Sequence, residues 1–386
     1  MTAVSGTDPV GRMDPTPEPP GSPAAVASLI MDLQSVGLRV EAPIETRRGG
    51  AGPSDSGMLW IEGVPVTFPT HSESPYVLQA EDDGQGIYRD GLKLASVAAS
   101  RRPRFYDLTT FDGIPYWKIA LLHLDSLAST VVQTCNYWGN SDQCGFCGIG
   151  LSLAAGRTIV KKTPAQLAEV AVAARDLDGA VDATLTTGSS NAPDRGARYV
   201  AQCGHAVKQV SGLPVQVQFE PPRDLSVLQE IADLGIDAVG IHVESFDREV
   251  LARVAPGKAR TGIDTYFRTW ERAVAVFGEG RVSTYVILGM GEDAEVTVEG
   301  CRRAIDIGVY PFVVPLRPVA GSLMADVPAP ARTYTEPIYR KVAAHLALRG
   351  MSAADTSAGC ARCQACSAIN TVQPLLQIGR RPEGAA

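Results

Sequence analysis

From Pro103 onward, short apolar runs alternate along the chain with amphipathic stretches. The runs are Ser129–Thr134, Ala183–Thr187, Val215–Glu220, Ala238–Glu244, Val282–Leu288 and Pro311–Leu316. They have the length and the β-branched content of buried strands. Between them apolar residues recur at helical spacing, over Asp194–Val210, Asp224–Leu234, Asp247–Val254, Asp264–Phe277 and Ala294–Ile307. A further helix starts at Thr163-Pro164, with Thr as N-cap and Pro at the first helical position. It carries Leu167, Val170, Ala171 and Ala174 on one face and stops near Gly179. Six βα units predict an α/β fold with a parallel sheet, which right-handed crossovers curl into a full or partial (βα)6 TIM-type barrel. Ligands of such folds sit at the carboxyl ends of the strands.

The pattern ahead of Pro103 differs. Residues 1–22 are rich in Pro, Gly, Asp and Thr, cannot bury a core, and are expected to be disordered. Ala24–Val36 has helical spacing with Gly37 as its stop, and Arg47–Gly57 reads as a loop. Met58–Pro69 and Tyr76–Ala98 read as short strands turning at Glu62-Gly63, Asp82–Gly86 and Asp90-Gly91. The expected organisation is an accessory α+β region over 23–103, the core over 104–349, and a cysteine-rich tail over 350–386.

The 386 residues, 45% hydrophobic, suffice for one large α/β domain with additions. A net charge of -7 argues against nucleic acid as partner. No uninterrupted apolar run reaches the ~18 residues of a membrane span. The N-terminus lacks the basic and apolar regions of a signal peptide. Six of the eight cysteines fall in two tight groups, which suits metal ligands in a reducing cytoplasm better than disulfides.

The first group, Cys135, Cys144 and Cys147, forms C-x8-C-x2-C directly after the first strand, with Gly139, Gly145, Gly148 and Gly150 interspersed. Thiolates select zinc, copper(I) or iron–sulfur clusters. Structural zinc and a regular [4Fe–4S] cluster both want four protein ligands, so three thiols leave one iron open to an exogenous ligand. A zinc knuckle completed by a distant residue is the alternative. The second group, Cys360, Cys363 and Cys366, forms C-x2-C-x2-C, the first part of the bacterial ferredoxin run. The fourth position of that run falls on Asn370, so an open iron or a remote ligand such as Cys203, Cys301 or His345 is expected. An auxiliary iron–sulfur cluster is the expectation here, with zinc again the alternative.

The first group resembles the cluster motif of the radical S-adenosylmethionine (SAM) enzymes, in which three cysteines hold a [4Fe–4S] cluster and SAM chelates the fourth iron. The commoner spacing there is C-x3-C-x2-C with an aromatic residue before the last cysteine, the place Phe146 holds here. The resemblance covers roughly Pro103 to Arg349 and is nearest to the biotin and lipoyl synthase branch. The GGAGP loop, Pro103–Asp107 and both cysteine groups further resemble a radical SAM family encoded beside a nitrilase, an acetyltransferase and a flavin oxidoreductase.

The resemblance implies roles at the strand ends. Thr187, Gly188 and Ser189 stand where backbone groups receive the SAM amino group. Glu220 stands where a carboxylate binds ribose or substrate; a helix cap or a pair with Arg223 is the alternative. His242, Glu244 and Ser245 match an Asn-x-Asp/Glu-Thr segment that holds the ribose. Arg253 or Arg260 is expected to clamp the SAM carboxylate. Gly289 and Gly291 match the stretch that backs the adenine. The implied chemistry is reductive cleavage of SAM to methionine and a 5′-deoxyadenosyl radical, which takes hydrogen from a small metabolite. A flavodoxin- or ferredoxin-type protein is the implied electron donor. Sulfur insertion from the tail cluster is a second reading, and a zinc-bound structural or regulatory protein a third. The tail is expected to fold back over the barrel mouth.

Overall fold

A computed structural model describes residues 21–42, 44 and 56–378. Nearly all of the segment expected to be disordered, and most of the Arg47–Gly57 loop, lie outside the described residues.

The chain opens with α1 (Pro23–Val36), capped by Ser22 with Pro at its first position. Six strands follow: β1 (Arg39–Val40), β2 (Ser56–Ile61), β3 (Val64–Pro69), β4 (Tyr76–Glu81), β5 (Gly84–Arg89) and β6 (Leu92–Ala99). They form one sheet in the order β1-β4-β5-β6-β2-β3. Its two-residue turns Glu62-Gly63 and Asp90-Gly91 have positive φ at both residues, the geometry that matches strand twist in a tight hairpin.

After the short α2 (Tyr116–Ile119), β7 (Leu121–His123) and β8 (Ser126–Thr130) form an antiparallel hairpin. The helix–strand series then runs α3 (Ile149–Ala154), α4 (Pro164–Asp178), β9 (Asp182–Thr186), α5 (Ala197–Ser211), β10 (Val215–Gln218), α6 (Val227–Asp233) and β11 (Ala238–Gly240). It continues with α7 (Arg248–Val254), α8 (Pro256–Thr261), α9 (Ile263–Phe277), β12 (Val282–Leu288), α10 (Ala294–Asp306) and β13 (Val309–Pro315). Strands β8 to β13 pair in parallel in sequence order, and β7 adds an antiparallel edge. The six expected parallel strands are present, with two corrections. The first ends at Thr130 and not at Thr134: Val131 N–H still donates to Thr186 O, but Val132 bridges Lys161 and Gln133 N–H donates to Val160 O, so the chain turns off toward residues 160–161. The hairpin strand β7 has too few residues to show a period.

Strand alternation decides what the sheet encloses. On β8, β9 and β10 one face carries Leu127, Ala183, Leu185, Val215 and Val217, all buried. The other face carries Ser126, Thr130, Thr184, Thr186 and Gln218, which line an internal cavity. Successive side chains on a strand point to opposite faces, so the apolar set meets the helices and the polar set faces inward.

The tail follows α11 (Arg332–Arg349) and consists of α12 (Cys360–Cys363) and α13 (Ile369–Ile378). It does not cover the barrel mouth. Gly359 N–H and Arg362 Nε donate to Asp182 at the start of β9, and Arg362 also pairs with Asp125, just ahead of β8. Gln364 donates to Tyr310 near the start of β13. These contacts set the tail at the amino-terminal ends of the strands, where the buried carboxylate of Asp182 requires a partner. The accessory region clamps it from outside: Thr67 N–H and Gln34 Nε2 both donate to Ala365 O, at 2.9 and 3.1 Å.

Candidate functional site

The first thiol group follows the carboxyl end of β8. Its eight-residue first gap closes on itself: Trp138 N–H returns to Cys135 O, Gly139 N–H donates to Gln143 Oε1, and Asn140 Nδ2 to Asn136 O. This excursion accommodates the departure from the shorter spacing and leaves Cys135, Cys144 and Cys147 facing one cavity with Phe146. The rest of the loop is pinned from two sides, by Gly145 N–H to Val254 O and Met324 N–H to Gly145 O. Lys162 braces the approach: its buried Nζ donates to Thr130 O and Thr158 Oγ1, each at 2.6 Å.

The loop after β9 packs directly against this segment. Gly188 N–H donates to Val132 O, and Ser189 O accepts from Asn136 N–H. A Cβ on Gly188 would lie 2.0 Å from Thr134 O, so only glycine permits the approach. Thr187, Gly188 and Ser189 all line the cavity.

Glu220, His242 and Glu244 line it as well. Glu220 accepts from the Tyr137 hydroxyl at 2.9 Å and from Arg195 at 3.2 Å. Glu244 has a left-handed backbone, φ 70°, held by Glu244 N–H to Tyr285 O and Ile287 N–H to Glu244 O. Those two bonds to β12 hold the residue in a backbone region that non-glycine residues rarely adopt. The sequence reading missed Lys258. Its Nζ lies 3.0 Å from Glu244 and 3.9 Å from Glu220, and donates to His242 O. Burial opposes its charge, but Glu244, Tyr266 and Glu220 outweigh that and hold its pKa well above the usual lysine value. His242 is half-buried; desolvation, then the Lys258 charge, push its pKa well below the ordinary value. Its Nδ1 accepts from Tyr285 N–H, which leaves the proton on Nε2. That atom is buried with no hydrogen-bond partner among the described residues.

The remaining expected residues stand back from the cavity. Ser245 Oγ accepts from Asp247 N–H, as a turn residue does. Arg253 donates to Met290 O at 2.7 Å, and Arg260 is exposed and pairs with Asp142. Gly289 and Gly291 have φ of 97° and 96°, and the Glu292 carboxylate holds their loop through Gly289 and Met290 N–H.

Cys360, Cys363 and Cys366 line the same cavity from its other end. Each thiol meets a polar side chain. Gln218 Nε2 donates to Cys360 Sγ at 3.7 Å, and Tyr285 hydrogen-bonds the same sulfur. Thr67 Oγ1 stands 3.1 Å from Cys366 Sγ. His123 Nδ1 lies 3.3 Å from Cys363 Sγ, and its Nε2 3.8 Å from Cys366 Sγ. The remote ligands expected from sequence lie elsewhere: Cys203 is buried on α5, Cys301 on α10, and His345 sits on α11, and none lines the cavity. Burial raises Cys135, Cys144 and Cys147 at the first end and Cys360 and Cys363 at the other, Cys147 and Cys360 to about 11. Such groups become thiolates when a metal takes the proton's place. The cavity measures about 400 Å³. The donor set fits a cluster with SAM at the first end, with three thiols and an unpartnered imidazole N–H beside them. It fits a second thiolate-bound centre at the other, where polar groups already face each sulfur.

Comparison with known proteins bears on the first end. A model of the Radical SAM superfamily matches residues 133–305. Over those residues the chain is similar to the radical SAM enzymes, whose cofactors are a [4Fe–4S] cluster and SAM. Bacteriochlorophyllide c C-7(1)-hydroxylase of Chlorobaculum limnaeum is 26% identical over 132 residues, 34% of this chain. The match spans about a third of that curated relative's length, 33%. Among solved structures, methylornithine synthase is similar at 16% identity and a TM-score of 0.47, over 63% of this chain and 68% of its own. A radical SAM methyltransferase from Sphaerobacter thermophilus is similar at 15% identity and a TM-score of 0.45, over 72% of this chain and 76% of its own. Among the described residues no helix is long and apolar enough to cross a membrane.

Proposed function

We propose that the enzyme binds a small metabolite in the cavity between its two thiol groups and removes a hydrogen atom from it. One observation carries this: Cys135, Cys144 and Cys147 and the tail trio Cys360, Cys363 and Cys366 line a single cavity, with Ser126, Thr130, Thr184, Thr186 and Gln218 on one wall and Ile287, Phe312, Val314 and Leu316 on another. Bound at the first end, the reduced cluster and SAM supply a 5′-deoxyadenosyl radical, with methionine as the other product.

The chain's residues position the reactants. Glu244 accepts from the ribose hydroxyls. Lys258 is the buried cation at this end and takes the carboxylate role first expected of Arg253 or Arg260. Thr187, Gly188 and Ser189 offer backbone groups to the amino end, and His242 Nε2 donates to ribose or substrate. Gly289 and Gly291 let the backbone approach the adenine. Gln218, Tyr285, Thr184 and Thr186 form the substrate wall, and a flavodoxin- or ferredoxin-type protein supplies electrons. The position of the tail thiols on the same cavity also supports a second reading, in which the tail centre donates sulfur to the substrate radical.

Reconstituted protein is to be incubated anaerobically with dithionite, SAM and candidate nitriles or amino acids, the classes the nitrilase-linked resemblance suggests. Substrate-dependent 5′-deoxyadenosine supports the reading, and sulfur in the product selects the second form. Absence of 5′-deoxyadenosine from iron-replete protein defeats both.

A further inference from the structure

We propose that the tail thiols hold a two-iron, two-sulfide centre in which His123 is the fourth protein ligand and shares an iron with Cys363, leaving Cys360 and Cys366 to the other iron. The inference rests on reading the tail as an iron–sulfur site and adds the residue that completes it. His123 ends β7, and the chain turns back into β8 through Leu124 at φ 59° and Asp125. That turn is docked on α12 by Arg362, whose guanidinium joins Asp125 to the buried Asp182. The hairpin therefore carries an imidazole to the thiols by the same contacts that hold the tail.

The spacing suits shared ligation. Bonds of about 2.3 Å to sulfur and 2.0–2.1 Å to nitrogen, at a tetrahedral angle, put the two ligand atoms about 3.5 Å apart. His123 Nδ1 and Cys363 Sγ are 3.3 Å apart. Cys360 has Gln218 and Tyr285 beside it, and Cys366 has Thr67 at 3.1 Å and only the far ring nitrogen of His123, Nε2, at 3.8 Å. His123 also lines the cavity, as a ligand between the centre and the substrate space must. Imidazole in place of thiolate raises the potential of an iron–sulfur centre, as in Rieske-type sites.

Full-length protein, with Cys135, Cys144 and Cys147 replaced by Ala to isolate the tail centre, is reconstituted with iron and sulfide after growth with ¹⁵N-histidine or without it. Pulsed electron paramagnetic resonance of the reduced centre should show a directly bound imidazole nitrogen that changes with the isotope. His123→Cys should keep the iron, lose the nitrogen signal and lower the midpoint potential, while His123→Ala should lose iron or the signal. The spectrum of wild-type protein gives the same nitrogen test should the loop variant fold poorly. Iron retained at the tail without bound nitrogen, or nitrogen that persists in His123→Cys, overturns the role of His123 alone. Zinc in place of iron at the tail overturns this inference and the parent reading of the tail together.

Discussion

The Lys258 ammonium lies 3.0 Å from the Glu244 carboxylate, with both side chains 11% exposed at the cavity wall. Removing one member of a buried pair leaves the other uncompensated, at about 3–5 kcal/mol. Glu244→Gln should therefore lower the unfolding free energy by an amount of that order, softened by Glu220 at 3.9 Å from the same ammonium. It should also weaken SAM binding. A lost charge-assisted hydrogen bond is worth about 1.5–3 kcal/mol, roughly ten- to a hundredfold in affinity. Equilibrium dialysis with iron-replete protein checks this; unchanged SAM affinity would place Glu244 with the structural ion pairs.

Replacing Cys135, Cys144 and Cys147 together by Ala should abolish the SAM-perturbed resonance signal and reductive SAM cleavage. The three sulfurs face one cavity, and Phe146 and the Gly188 loop enclose them. SAM cleavage that survives in the triple variant would refute the assignment of the cluster to this loop.

The cysteine loop and the Glu244 segment were legible because each is a run of adjacent residues whose chemistry does not depend on folding. The parallel sheet was legible from its apolar runs. Lys258, Arg195 and His123 were not, because each acquires its role from tertiary contacts: Lys258 with Glu244, Arg195 with Tyr137 and Glu220, His123 with Cys363. The end of the barrel on which the tail docks was illegible for the same reason, since it is set by Arg362 meeting Asp125 and Asp182, more than 170 residues away. Arg253 and Arg260 looked eligible by sequence proximity, and the structure spends them on Met290 O and Asp142.

Lys162 gives the enzyme a pH dependence of stability. Burial lowers its pKa from 10.5 to about 7. Between those values the unfolded chain holds a proton that the folded protein does not, so stability rises with pH across that window, by up to about 1.4 kcal/mol per pH unit. Below pH 7 both states are protonated and the penalty is complete. Denaturant unfolding at pH 7.5 and pH 9 should show wild type gaining on Lys162→Met at the higher pH. Parallel behaviour of the two proteins would mean that the ammonium stays charged, held by Thr130 O, Thr158 and Gln133.

Arg362→Ala should loosen the tail. It removes the charged partner of the fully buried Asp182, leaving Gly359 N–H as a donor to that carboxylate. The expected cost is about 3–5 kcal/mol of stability, with faster proteolysis after residue 350. Asp182→Asn in the same chain should recover part of the loss, since the remaining buried group is then neutral. Equal stability of wild type and Arg362→Ala would show that the remaining contacts, Ala365 O with Thr67 and Gln34, Gln364 with Tyr310 and Gly359 with Asp182, suffice to hold the tail.

Replacing Cys360, Cys363 and Cys366 by Ala separates the two ends of the cavity. The two thiol groups sit at opposite ends of strands of three to seven residues, about 10–23 Å long, so the radical should still form at the Cys135 end. Reductive SAM cleavage should persist while substrate turnover is lost, because the missing centre forms the far wall of the substrate space. Iron should fall from about eight atoms per chain to about four if both centres are cubanes, or from about six if the tail holds a two-iron centre. Full turnover with only the loop cluster present would make the tail a plug for the barrel's amino-terminal end. Wild-type iron near four, with one zinc lost on tail mutation, would make it a zinc-held plug.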